Sequence, residues 1–207
     1  IVSIIWHEVL CEFAKKFGPE PGNGTAVISM GSLGSGVLHA NSDLDLIIIY
    51  DADGNDQSEG ERSLSARQYY SRVAKAFITA ISAPMTEGRL YEIDMRLRPS
   101  GFQGPVATSW NSFRNYQKNE AWIWEHLALT RARAVAGTGS LLNDFESFRS
   151  SLLKSYDREN IFNELVNMRS RIAQAKISNP LDAKIGPGRL QDLDLLSQAG
   201  CLVTRSI

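Results

Sequence analysis

Two aspartates, Asp43 and Asp45, stand at the head of the run Asp43-Leu44-Asp45-Leu46-Ile47-Ile48-Ile49-Tyr50. On a strand, residues two apart share a face, so both carboxylates emerge together while Leu44 and Leu46 turn toward a core. Carboxylates held that close repel each other unless a cation sits between them. Their hard oxygens suit Mg²⁺, with Mn²⁺ as the alternative ion, bound together with substrate phosphates. A third carboxylate, Asp94, falls on the polar face of another predicted strand and would complete a metal clamp for in-line displacement at phosphorus. Asp43, Asp45 and Asp94 are therefore the candidate catalytic and metal-ligating residues.

The glycine-rich segment Gly31-Ser32-Leu33-Gly34-Ser35-Gly36 lies just ahead of the acidic pair. Gly34, Ser35 and Gly36 allow close backbone approach and offer N–H groups and a hydroxyl to a phosphate, best at a helix N-terminus. Arg96 and Arg98 share the predicted face of Asp94, where a guanidinium would neutralise a triphosphate. Gly34, Ser35, Arg96 and Arg98 are thus the candidates for contacting a phosphate-bearing ligand.

Each signal alone has a plainer reading. A DxD also describes solvated aspartates where a strand meets a loop, although here it precedes an apolar run on which idle charge is costly. The glycine segment lacks the lysine of GxxxxGK[ST], and its order differs from GxGxxG, whose acidic partner follows about 20 residues later. Arg96 and Arg98 also fit a solvated strand edge. His39 reads as a loop histidine, and His7 and His126 as structural residues on helices. The aromatic set Trp110, Phe113, Tyr116, Trp122 and Trp124 reads as core and interface rather than as an adenine box.

The elements that must position these groups follow from periodicity. Ile4, Ile5, Val9, Leu10, Phe13 and Phe17 recur at helical spacing, and the breakers from Gly18 to Gly24 end that helix. Strands are predicted at Thr25–Met30 and Asp43–Tyr50, with a short helix starting between them. A loop is expected over Asp51–Ser65 and a helix over Ala66–Ser82, Pro84 lying past its end. Leu90–Arg98 alternates, with Glu92, Asp94, Arg96 and Arg98 opposite Tyr91, Ile93, Met95 and Leu97, and so predicts a strand broken at Pro99. Beyond Ser109 a helical period predicts helices at Asn111–Tyr116, Glu120–Arg133, Leu141–Lys154 and Asp157–Lys176. The expected fold class is α+β: an α/β domain over 1–105, a mixed sheet with flanking helices, followed by an all-helical domain over 106–207.

With 22 basic and 23 acidic residues, the net charge of -1 offers no field for nucleic acid or an anionic membrane. No apolar run approaches the roughly 20 residues needed to span a bilayer, and no signal peptide opens the chain, so a cytoplasmic location is expected. Cys11 and Cys201 form no metal-ligand spacing and read as buried free thiols. The chain begins without methionine inside one helical repeat and ends inside another, which reads as a piece of a longer protein.

Read as strings, these residues carry a resemblance. Gly31-Ser32-Leu33-Gly34-Ser35 followed by Asn41-Ser42-Asp43-Leu44-Asp45-Leu46 resembles the nucleotide-binding motif of the glutamine synthetase adenylyltransferase family. Leu90-Tyr91-Glu92-Ile93-Asp94-Met95-Arg96-Leu97-Arg98-Pro99-Ser100-Gly101 is similar to its second signature. Tyr116 to His126, running on through Leu129-Thr130-Arg131-Ala132-Arg133, is similar to a third. The family carries two polymerase-β-like nucleotidyltransferase domains, one adding AMP to a tyrosine of glutamine synthetase and one removing it by phosphorolysis. The strings resemble the adding, C-terminal domain more closely. The resemblance implies ATP as substrate, Mg²⁺ ligation by Asp43, Asp45 and Asp94, nucleotide contacts from the Gly34-Ser35 region together with Ser42, Arg96 and Arg98, glutamine synthetase as partner, and control by the PII signalling protein. It leaves as rivals the removing reaction, AMP transfer to another acceptor on the same fold, and a non-catalytic nucleotide-sensing domain. The chain departs from the pattern at Ser32, where the family has lysine, at Gly36-Val37-Leu38, and in Gly186–Asp194, where Arg189 and Asp194 replace a glycine and a glutamate.

Overall fold

The helical repeat at the start of the chain folds as expected. The computed structural model describes residues 1–52, 54, 57–156, 158–175 and 181–205, and in it α1 spans Val2–Phe17. Lys15 and Lys16 in its last turn complement the helix dipole, and Gly18, at φ 83°, ends it. Strand β1 (Gly24–Ser29) is buried throughout. A single helical turn, α2 (Gly31–Gly34), leads toward β2 (Leu44–Asp51). Helix α3 (Ala66–Ser82) matches its predicted bounds, because Ser65 accepts a capping hydrogen bond from the Gln68 N–H at one end and Pro84 blocks the other. Residues 53, 55 and 56 of the loop expected before α3 lie outside the described residues.

After α3 the chain departs from expectation. An exposed hairpin, β3 (Pro84–Met85) with β4 (Gly88–Arg89), precedes β5, which is only Ile93–Asp94 rather than a strand over Leu90–Arg98. Met95 to Gly104 is turns and a 3-10 segment, with Ser100 at φ 60° and Gly101 at φ 54°. The chain then rejoins the sheet as β6 (Ala107–Ser109), and Ser109 caps α4 (Trp110–Asn119). The helix predicted over Glu120–Arg133 is shorter, α5 (Ile123–Leu129), and Arg133–Gly137 is a strand, β7. Helix α6 (Leu141–Lys154) has its predicted bounds. Helix α7 (Arg158–Ala175) stands where Asp157–Lys176 was predicted, residues 157 and 176 lying outside the described ones, and α8 is Leu190–Thr204.

The sheet is mixed, in the order β5-β2-β1-β7, with β6 pairing further along β2. Strand β1 runs antiparallel to β2 and β7, whereas β5 and β6 run parallel to β2. Leu44, Leu46, Ile48 and Tyr50 share one face of β2 and pack with Trp6 and Leu10 of α1 and Tyr69, Tyr70, Val73 and Phe77 of α3. Burial of each large apolar side chain of this kind contributes about 1.5–3 kcal/mol. On the other face Ile47 and Ile49 are fully buried, and α4 packs against β2 and β6. Because β6 and β7 are sheet strands, the chain divides differently from the expected 1–105 and 106–207. Ile1–Glu120 with Ala132–Ser147 forms one compact unit, and Ala121–Arg131 with the residues from Phe148 onward forms a second, whose described elements are helices.

Two further expectations are corrected. Cys11 is exposed and Cys201 partly so, since Trp6 and Leu10 set the buried face of α1 and leave Cys11 outside it. Trp110 and Phe113 are core residues, but Trp122 and Trp124 are exposed.

The tyrosines of α3 predict a test of stability. The Tyr69 hydroxyl donates to the Gly18 carbonyl at 3.2 Å and that of Tyr70 to the Pro21 carbonyl, pinning the loop ahead of β1. Burial, with the charge of Glu20 added, pushes Tyr69 from its ordinary 10.0 up to about 12 and Tyr70 higher still. A tyrosine raised in the fold contributes stability that is complete below its unfolded value and is lost as pH rises through the folded one. Stability toward denaturant, followed by circular dichroism and tyrosinate absorbance, is therefore expected to fall from about pH 10 upward. Tyr70→Phe, which orphans the Pro21 carbonyl, should lose about 1–3 kcal/mol at neutral pH. Unchanged stability across pH 10 to 12 would disprove this role.

Candidate active site

The parallel pairing of β2 and β5 places Asp45 opposite Asp94 and Leu44 opposite Ile93. Side chains in register on neighbouring strands point to the same face from backbones about 4.8 Å apart, so the two carboxylates are lateral neighbours. The Leu44 N–H donates to the Glu92 carbonyl at 2.8 Å, which extends the pairing to the start of β2. Asp43 is exposed just ahead of that strand. The turn before it is closed by Ser42, whose N–H donates to the His39 carbonyl at 2.9 Å while its hydroxyl accepts from the His39 N–H at 3.2 Å. Ser42 thus shapes the approach to Asp43, and His39 stands on the same exposed turn.

Asp45 is also locked to the glycine segment. Its carbonyl accepts from the Met30 N–H at 2.9 Å. Gly31 has φ +52°, and a Cβ there would lie 2.2 Å from Asp45 Oδ2, so only glycine lets the carboxylate sit against the backbone that opens α2.

The donors expected from Gly34 and Ser35 are used within the turn. Gly34 N–H bonds to the Met30 carbonyl at 2.8 Å and Ser35 N–H to that of Gly31 at 3.1 Å, while Ser35 Oγ donates to the Gly31 and Ser32 carbonyls at 3.1 and 3.2 Å. A helix leaves its first N–H groups without internal partners. Because α2 begins at Gly31, those groups belong to Gly31, Ser32 and Leu33, three residues upstream of the expected positions. A cation missed by sequence reasoning joins them: Arg133, at the start of β7, donates to the Leu33 carbonyl at 3.3 Å. The pairing of Ser29 with Arg133 brings it there, and the cue in the sequence was its place in the third string, previously read as helix.

Arg96 and Arg98 part company. Asp94 Oδ1 accepts from the Arg96 backbone N–H at 2.8 Å, and Oδ2 accepts from Arg96 Nε at 2.6 Å within an ion pair to the guanidinium. Burial pushes the Asp94 carboxyl up, but the Arg96 side-chain and backbone hydrogen bonds outweigh it and hold the group below its ordinary value. The Arg96 guanidinium is raised first by its bond and attraction to Asp94 and then by the charges of Asp45 and Asp43, so one exposed cation feels all three carboxylates. Arg98 instead donates to the carbonyls of Met95 at 2.7 Å, Phe102 at 3.1 Å and Gly104 at 3.2 Å. It clamps the Met95–Gly104 excursion and does not share the face of Asp94, because the chain turns away directly after that residue.

Among the described residues no three His, Cys, Asp or Glu side chains are gathered closely enough to hold a metal as they stand. The chemistry of the set nonetheless fits a hard cation. It consists of carboxylate oxygens, two of them from in-register neighbours, and it already attracts a positive group whose side chain is 62% exposed and free to rotate away.

A family model for glutamate-ammonia ligase adenylyltransferase matches residues 1–148, a stretch that contains every residue of this site. The chain belongs to this family. It is 44% identical over 206 residues, 98% of its length, to a protein of Agrobacterium fabrum named bifunctional glutamine synthetase adenylyltransferase/adenylyl-removing enzyme. Proteins of the same name from Rhizobium meliloti and Bradyrhizobium diazoefficiens are each 43% identical, over 98% and 96% of the chain. The chain spans only 21%, 21% and 20% of the lengths of these three relatives. In the variant string near the end, Arg189 donates to the Ile185 carbonyl at 2.8 Å, and Asp194 pairs with Arg131 at 2.5 Å. The replacements thus brace their own turn and the end of α5.

Proposed function

We propose that the first unit is a polymerase-β-like nucleotidyltransferase that moves AMP from ATP to a tyrosine of glutamine synthetase, and that the second is its helical companion. The observation that carries this reading is the register of Asp45 with Asp94 beside the glycine turn of α2. The tyrosyl oxygen bonds to the α-phosphorus of ATP, the bond from that phosphorus to the bridging oxygen breaks, and pyrophosphate leaves. Asp43, Asp45 and Asp94 would hold Mg²⁺ or Mn²⁺, which when bound would supply positive charge that polarises the phosphate. Asp94, kept ionised, accepts a hydrogen bond from the tyrosyl hydroxyl, orients it and takes its proton as the oxygen bonds to phosphorus. The N–H groups of Gly31 to Leu33 and the Arg133 guanidinium receive phosphate oxygens, and Arg96, rotated off Asp94, offsets charge on the triphosphate. Gly34 and Ser35 act by closing the turn that presents those donors.

The relatives' name pairs adenylyl transfer with adenylyl removal, so the removing reaction is the second reading. The strings around Pro99-Ser100-Gly101 and Trp122–His126 favour transfer. Control by the PII protein is proposed to reach this unit through the remainder of a longer protein. Among the described residues no helix is long and apolar enough to cross a membrane, which accords with the proposed cytoplasmic location, and the near-zero net charge disfavours nucleic acid as acceptor. The deciding experiment mixes the chain with labelled ATP, Mg²⁺ and unmodified glutamine synthetase, beside an Asp43→Ala/Asp45→Ala double variant. Label on the partner with the intact chain alone is the expected result. No label from a folded, ATP-binding chain would instead support the sensing reading, and label lost only from modified partner would support removal.

A further inference from the structure

On the β5 side of the sheet lies a cleft of about 770 Å³, lined among others by Tyr50, Arg67, Thr108, Asn111, Asn115 and Tyr116. It falls within the size range of ligand sites. Thr108 is 3% exposed, yet its hydroxyl has no hydrogen-bond partner. A buried hydroxyl left in that state costs stability, which points to a ligand that completes it. Beside it, β6 pairs with β2 and, among the described residues, with no other strand, so its second edge has no strand partner.

We infer that this cleft docks the tyrosine-bearing segment of the acceptor protein as an extended peptide along β6; the inference rests on the AMP-transfer reading above. In-line displacement sets the nucleophile and the leaving pyrophosphate on opposite sides of the α-phosphorus. The phosphate donors of α2 and Arg133 lie toward β1 and β7, and Asp45 and Asp94 lie between them and the β5 edge. The acceptor therefore enters from the β5 and β6 side, where the cleft is. Thr108 is in register with Ile49, on the same face as Asp45 and four residues along β2, a distance of about 13 Å. An extended segment of about four residues spans it. The lining suits a peptide rather than a phosphate: hydroxyls and side-chain amides satisfy main-chain groups, and its one arginine, Arg67, shares the lining with the acidic Glu120.

The test uses the full chain and purified glutamine synthetase in two arms. In the first, p-benzoylphenylalanine replaces Asn115 in the cleft or, as control, exposed Glu8 on α1, and the mixture is irradiated. Cross-linking from position 115 but not from position 8 is expected; failure at 115 overturns the inference, and this arm does not require AMP transfer. In the second, Thr108→Val should raise KM for glutamine synthetase about tenfold while leaving KM for ATP unchanged and raising the melting temperature, because the orphaned hydroxyl is gone. An unchanged acceptor KM, or equal changes for both substrates, overturns the docking role. Cross-linking without any AMP transfer by the intact chain would sink the enzymatic reading and leave the docking surface standing.

Discussion

Asp45→Ala and Asp94→Ala are each expected to cut AMP transfer by about a thousandfold or more, the scale seen when one preorganised electrostatic group is lost from a transition state. The fold should survive both changes. Asp94 interacts with Arg96, whose side chain is 62% exposed and returns to solvent at little cost. Removing either carboxylate also relieves repulsion between register neighbours. Asp94→Asn sharpens the test, since its amide oxygen still accepts from the Arg96 N–H and only the charge is lost. Pyrophosphate release measured with unmodified glutamine synthetase, beside thermal melts of each variant, separates chemistry from folding. Activity within about tenfold of the intact chain in Asp94→Asn would show that this carboxylate does not carry negative charge into the reaction. Lowering the pH acts on the same group from the other side. The Asp94 carboxyl is held below its ordinary value, so the stability from its pairing with Arg96 is complete above the unfolded value of 3.8 and fades as pH falls through the folded one.

The parts of this site that local patterning encodes were legible in the sequence, and those that tertiary pairing decides were not. Helix α3 could be read to its ends because a serine cap, a buried stripe and a following proline agree. Strand β2 was equally plain, since four consecutive β-branched or apolar residues follow the aspartates. The alternation of Leu90–Arg98 misled: its last charged position serves carbonyls of a turn, which polar-apolar alternation cannot distinguish from a solvated strand face. Strand β7 was hidden for another reason. Arg133-Ala134-Val135-Ala136-Gly137 is rich in alanine and continues a helical period, and it becomes a strand only because β1 pairs with it more than a hundred residues away in sequence. Asp43, Asp45 and Asp94 were therefore proposed from residue type and spacing, and the pairing of β2 with β5 sets two of them, Asp45 and Asp94, in register. Arg133 and the shift of the proposed phosphate donors to Gly31–Leu33 needed the pairing of β1 and β7 and the true start of α2.

That start yields the second large effect, expected of Gly31→Ala. At φ +52° an alanine bears a left-handed backbone cost of about 1–2 kcal/mol, and its Cβ would stand 2.2 Å from Asp45 Oδ2. Either the α2 turn or the carboxylate must then move, and both belong to the proposed site. Gly36→Ala is the matched comparison: Gly36 has φ +74°, but its Cβ would meet only the Arg133 side chain at 3.9 Å. The backbone cost is thus similar in both variants, and the displacement of Asp45 is confined to one. Chemical denaturation should show both destabilised by about 1–2 kcal/mol, with Gly31→Ala the worse. Their activities should diverge further, Gly31→Ala losing about a hundredfold or more in AMP transfer, since a misplacement of about 1 Å at reacting groups costs that much. Equal activity in the two variants would mean that the contact between Gly31 and Asp45 serves the fold alone, and that the glycine turn does not position the carboxylate for chemistry.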